Sequence, residues 1–109
     1  MTLEFIYTPL FESSGRGLLD DEAMRQVELA LLQDPRRGDV VAGTGGVRKL
    51  RAALPGRGKR GGARIIYLAV FVRSRVYFLL AYAKSRRLDL TAAEKRELRA
   101  LARTLEREA

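Results

Sequence analysis

The sequence predicts an α+β fold: a small antiparallel β-sheet flanked by an N-terminal helix or helices and a C-terminal helix. Three observations carry this. Two amphipathic stretches bracket the chain's centre, 20–35 and 91–109; two consecutive apolar runs, "ARIIYLAVF" and "VYFLLAYAK", are separated only by "VRSR"; and Gly and Pro cluster between the remaining segments. With 109 residues and no internal repeat, residues 1–109 read as a single domain able to bury a core without staples.

In order, "LEFIYT" (3–8) is rich in β-formers, ends at Pro9, and reads as the first strand. "PLFESSGRG" offers a short helical turn before its glycines. In "DDEAMRQVELALLQDP", Asp20 is a natural N-cap, and Asp21 and Glu22 suit the positive end of the helix dipole. Met24, Val27, Ala30 and Leu31 follow helical spacing, and Pro35 forbids continuation. "RRGDVVAGTGG" reads as a glycine-rich connection. In "VRKLRAAL", read as a strand, alternation places Val47, Lys49 and Arg51 on one side and Arg48, Leu50 and Ala52 on the other. "PGRGKRGG" is a loop, here expected to move freely without a ligand. The two apolar runs are the central strands. Thr91 with Glu94 forms a capping box that opens a last helix with the stripe Leu98, Leu101, Ala102 and Leu105.

Charge is concentrated. The formal net charge is +8, yet no Asp or Glu lies between Asp39 and Asp89, a segment holding twelve of the 21 basic residues. Such concentration is expected of a polyanion-binding face. Without Cys or His, disulfides and thiolate or imidazole metal sites are excluded, and neither a cofactor nor a metal is expected. The N-terminus lacks a signal-peptide pattern and the longest apolar run is strand-length, so a cytoplasmic protein with no membrane association is expected.

Arg48, Lys49 and Arg51 on a strand, Arg57, Lys59 and Arg60 on the loop, Arg64 opening the next strand, and Lys84 ending the last are candidates for one concave site. Arginine grips phosphate in two contacts, lysine is a movable charge, and glycines let amides approach an anion. Cleaving RNA needs a base for the 2′-OH, stabilisation of an anionic phosphorane-like transition state, and a proton for the leaving oxygen. Without histidine, the base expected from this set is a lysine among cations, Lys49 or Lys59, because no carboxylate lies in the segment. Backbone binding without catalysis uses the same residue types. "GTGG" followed by "VRK" lacks the spacing of a nucleotide-triphosphate loop.

Taken together, "GTGGVRKLR", "GKRGGARIIY" and "YAK" ahead of the "LTAAE" helix resemble the RelE/ParE-type toxins of bacterial toxin–antitoxin pairs, most closely the HigB-like branch. The resemblance runs from Phe5 to about Ala102. It implies the RelE-like fold and a metal-independent endoribonuclease, an mRNA interferase that cuts ribosome-bound message by 2′-OH attack. It also implies restraint by a cognate helix-turn-helix antitoxin. Carried onto this chain, it implies Lys49, Arg51, Arg64 and Lys84 as catalytic residues, with Lys59 and Arg60 on the loop. Where some members carry an Arg and a Tyr after the last strand, Ser85 and Thr91 stand here; Arg86 and Tyr82 are the alternatives for those contacts, which leaves the general acid open. Arg48, Arg57, Lys59, Arg60, Tyr82 and Arg86 complete the expected RNA contacts. Non-enzymatic alternatives within the superfamily are a ParE-like gyrase inhibitor and a basic nucleic-acid-binding subunit of a repressor complex.

Overall fold

In the computed structural model, which describes residues 2–54 and 62–108, five strands form one sheet in the order β1-β5-β4-β3-β2. They are β1 (Glu4–Tyr7), β2 (Asp39–Val40), β3 (Arg48–Ala52), β4 (Ala63–Val70) and β5 (Arg75–Ala83). The helices are α1 (Pro9–Gly15), α2 (Asp21–Gln33) and α3 (Ala92–Arg107). The loop expected to be mobile, Pro55 to Gly62, lies outside the described residues except for its last glycine.

Each helix starts where its cap is. Thr8 accepts from the Phe11 N–H with Pro9 at the first turn, Asp20 accepts from the Ala23 N–H, and Thr91 and Glu94 complete both arms of the capping box. The α2 stripe Met24, Val27 and Leu31 packs on one face of the sheet against Ile65, Tyr67, Val76 and Phe78. The α3 stripe Leu98, Ala102 and Leu105 packs on the other, against Ile66, Leu68, Tyr77 and Leu79. The nearly continuous apolar character of β4 and β5 follows from this: both of their faces are covered. Tyr7 ties β1 to α2 by donating to Glu28.

Two features depart from the sequence reading. The sheet is mixed, because β1 runs parallel to β5, pairing Glu4 with Arg75 through Tyr7 with Phe78, while all other pairings are antiparallel. The chain reaches that register through α1 and α2, a crossover that a parallel neighbour requires. The segment read as connection also holds β2, paired with β3 through Asp39 with Lys49 and Val40 with Arg48. The "GTGG" stretch is the turn between them. Gly43, Gly45 and Gly46 have φ of 82, 75 and 112°, where a side chain would be strained. The fully buried Thr44 hydroxyl donates to the Val41 carbonyl at 2.6 Å. The motif's role is thus to close a hairpin.

Candidate functional site

Register decides which cations meet. Across β3, β4 and β5, Arg51 pairs with Arg64 and Arg64 with Tyr82. Directly opposite residues share a face, so these three side chains form a row across the sheet. One pair further along, Lys49 lies opposite Ile66. Ile66 and Tyr82 belong to the α3-side core, so the row occupies the sheet face on which α3 packs. At the same end, the Lys84 N–H donates to the Gly62 carbonyl at 3.0 Å, beside the terminal pair Ala63–Ala83. Lys49, Arg51 and Arg64 therefore share a face as alternation suggested, with Lys84 at the end of the same ladder.

Arg48 is not brought to them. It projects to the opposite face, where its guanidinium donates to the Arg36 and Gly38 carbonyls at 3.1 and 2.7 Å. Arg86 is exposed in the turn after β5, with its N–H on the Ala83 carbonyl. Arg57, Lys59 and Arg60 lie outside the described residues. Thr91 is committed to capping α3.

Tyr82 is 6 % exposed, and its hydroxyl has no hydrogen-bond partner among the described residues. Leaving a buried hydroxyl unpaired costs about 1–3 kcal/mol. Burial, then the negative field of Asp89, pushes the phenol's pKa up, only partly opposed by Arg64 and Arg87. The hydroxyl therefore keeps its proton at neutral pH and acts as a donor.

Sequence reasoning missed three participants. The Arg87 guanidinium lies 4.5 Å from the centroid of the Tyr82 ring and pairs with Glu94 at 2.7 Å, so the 85–90 segment is strapped to the first turn of α3. The Arg87 hydrogen bond is the main reason the Glu94 carboxyl is held below its ordinary range, with burial opposing. Asp39 stands opposite Lys49 across the β2–β3 ladder, and Asp89 is close enough for Lys49 to depress its pKa. The Leu90 N–H bond is the largest cause of that depression, with Lys95 adding to it. The segment free of acids is thus flanked in space by the two carboxylates that flank it in sequence. Asp89 feels the charge of Lys49, while its ion-pair partner among the described residues is Lys95 at 3.9 Å. Among the described residues, no group of three or more His, Cys, Asp or Glu side chains is placed to hold a metal, and no helix is long and apolar enough to cross a membrane.

A solved structure shares this fold. A structure of the E. coli toxin RelE, a mutant in the free state, superposes with a TM-score of 0.58 at 15 % identity, covering 93 % of this chain and 97 % of that chain. At that identity the likeness is one of fold. Residues 16–109 match the family described as the RelE toxin of the RelE/RelB toxin–antitoxin system. The chain belongs to the RelE toxin family.

Proposed function

We propose that this toxin is an endoribonuclease that cuts mRNA on the ribosome. The observation that carries the reading is the row Arg51–Arg64–Tyr82 with Lys49 beside it: a rigid sheet presents two guanidiniums and a lysine on one face, with the buried Tyr82 ring at the end of the row. Arg51 and Arg64 hold the scissile phosphate and stabilise the charge that develops as the 2′-oxygen attacks phosphorus. Preorganised donors of this kind contribute on the order of 3 kcal/mol each. The 2′-oxygen forms the new bond, the bond from phosphorus to the 5′-oxygen breaks, and the products are a 2′,3′-cyclic phosphate and a 5′-hydroxyl. Lys49, as its neutral amine, takes the 2′-OH proton, and Lys84, as its ammonium, gives one to the leaving oxygen. Tyr82 supports the end of the row, with the Arg87 guanidinium over its ring. Lys59 and Arg60 extend the contact along the backbone from the loop. The ribosome as setting, the HigB-like affinity and a helix-turn-helix antitoxin as partner rest on the sequence resemblance.

The test is mapping of RNA 5′ ends after incubating purified protein with message, with and without programmed ribosomes. The expected result is new 5′-hydroxyl ends inside reading frames, dependent on ribosomes and lost in Arg64→Ala. Intact message together with inhibited DNA supercoiling by gyrase would replace this function with a gyrase-directed one.

A further inference from the structure

A second basic site adjoins the row. Beyond Phe78, β5 loses its β1 neighbour; the Thr8 N–H closes the ladder on the Phe78 carbonyl and Ser14 Oγ accepts from the Ala81 N–H. At this edge a cavity of about 480 Å³ opens, within the range of small-ligand sites. Three arginines line it: Arg16 from the α1–α2 turn, and Arg86 and Arg87 from the turn after β5. No carboxylate lines it, although Asp20 caps the nearby α2 and Asp21 and Glu22 open it. Arg87 is paired with Glu94; neither Arg16 nor Arg86 forms an ion pair among the described residues. Arg16 and Arg86 come from segments 70 residues apart, so the gathering is a product of the fold and not of a local basic run. Like charges converging without acids repel one another, a cost that an anion removes. The lining includes Tyr82, which also ends the cross-strand row.

We infer that this cavity is a subsite for a phosphodiester flanking the cleaved one. Resting on the reading of the row as an RNA site, it gives the strand a direction. RNA crosses β3, β4 and β5 in the order Arg51, Arg64, Tyr82, a span of roughly 10 Å for two interstrand spacings. It then leaves over the free edge of β5, where Arg16 and Arg86 take the next phosphate. Gly17, at φ 73° with open space around it, lets the α1–α2 turn present Arg16 at the rim without obstructing the path.

The experiment is fluorescence anisotropy with a short single-stranded RNA, 2′-O-methylated to prevent cleavage, titrated at several salt concentrations. Wild type, Arg16→Ala, Arg16→Glu and Arg64→Ala are compared after their melting temperatures are matched. Arg16→Ala is expected to weaken binding and lower the slope of log K against log salt by roughly 0.7, the share of one single-strand phosphate. Arg16→Glu is expected to weaken binding further. With a dinucleotide monophosphate, which has no flanking phosphate, Arg16→Ala and wild type should bind alike. An unchanged slope in both Arg16 variants with a reduced slope in Arg64→Ala overturns the subsite and leaves the RNA site standing. An unchanged slope in all variants overturns both. Unchanged RNA binding in Arg16→Glu with a loosened toxin–antitoxin complex also overturns the subsite, assigning these arginines to an acidic peptide.

Discussion

Arg64→Ala separates activity from stability, and the structure gives the sign of each effect. Arg64 faces Arg51 directly across the β3–β4 ladder, and among the described residues it makes no ion pair. Opposed like charges in a sheet are destabilising by roughly 0.2–1 kcal/mol, so alanine relieves a repulsion. Partial exposure screens part of that gain, and loss of the aliphatic stem offsets more. The net expectation lies between zero and about 0.5 kcal/mol of stabilisation, a rise in Tm of up to roughly 4 °C for a domain of this size. Cleavage moves the other way: removing one preorganised donor from the developing charge typically costs about 10²–10³ in rate, or 2.7–4 kcal/mol. The assay pairs single-turnover cleavage of ribosome-bound message with thermal melting of the same preparation, including Arg64→Lys, which keeps the charge and loses the fork. Cleavage within a few-fold of wild type would remove Arg64 from the site. A fall in Tm of 8 °C or more, about 1–2 kcal/mol on the same scale, would show that its main role is structural.

Tyr67→Phe should destabilise by about 2–6 kcal/mol in urea unfolding, since it strips the Pro35 carbonyl of its donor and the buried Gly38 N–H of its acceptor, at roughly 1–3 kcal/mol each. Gly38→Ala should cost at least about 1–3 kcal/mol by the same measurement, because the new Cβ would lie 2.6 Å from the Lys49 carbonyl in the ladder and 2.8 Å from the Tyr67 ring. Glu94→Gln should flatten the acid limb of the stability curve. With its folded pKa below the ordinary 4.5, Glu94 contributes stability above that value and loses it as pH falls through the lower folded one, so melting from pH 7 to 3 should show less acid destabilisation in the variant. Lys59→Ala with Arg60→Ala should lower the RNA-binding salt slope by roughly 0.7 for each phosphate that the pair neutralises, measured by anisotropy.

Much of the fold was legible because its signals are local. Caps at Thr8, Asp20 and Thr91, and apolar periods on α2 and α3, depend on residues within a turn or two of each other. The side of β3 on which Lys49 and Arg51 lie was legible for the same reason. What escaped depends on tertiary placement. A two-residue strand such as β2 has no alternation to read, and nothing in Glu4–Tyr7 tells a parallel partner from an antiparallel one. Arg48 looked like its neighbours because its partners are backbone carbonyls at 36 and 38, which carry no side-chain signature. Asp39 and Asp89 were set aside as the limits of an acid-free segment, yet the hairpin and the strap return both to Lys49.

The twelve cations of the acid-free segment sort by what satisfies them. Arg48 and Arg73 donate to backbone carbonyls, the latter to Leu105 at 2.9 Å, and each thereby fastens one element to another. Arg75 and Arg87 are paired with Glu4 and Glu94 at 2.8 and 2.7 Å. Arg57, Lys59 and Arg60 fall outside the described residues. Lys49, Arg51, Arg64, Lys84 and Arg86 remain, and among the described residues none of them has a carboxylate within ion-pair distance. They are not scattered over the surface, as cations kept only for solubility would be. Three share one face of β3 and β4, and the other two follow β5 at the same end of the sheet. A fold that supplies partners for guanidiniums elsewhere, and here gathers ones with no ion pair among the described residues beside a buried phenol, leaves that surface lacking an anion. A single-stranded polyanion supplies several at regular spacing, which suits a row and an adjoining cavity better than one isolated phosphate would.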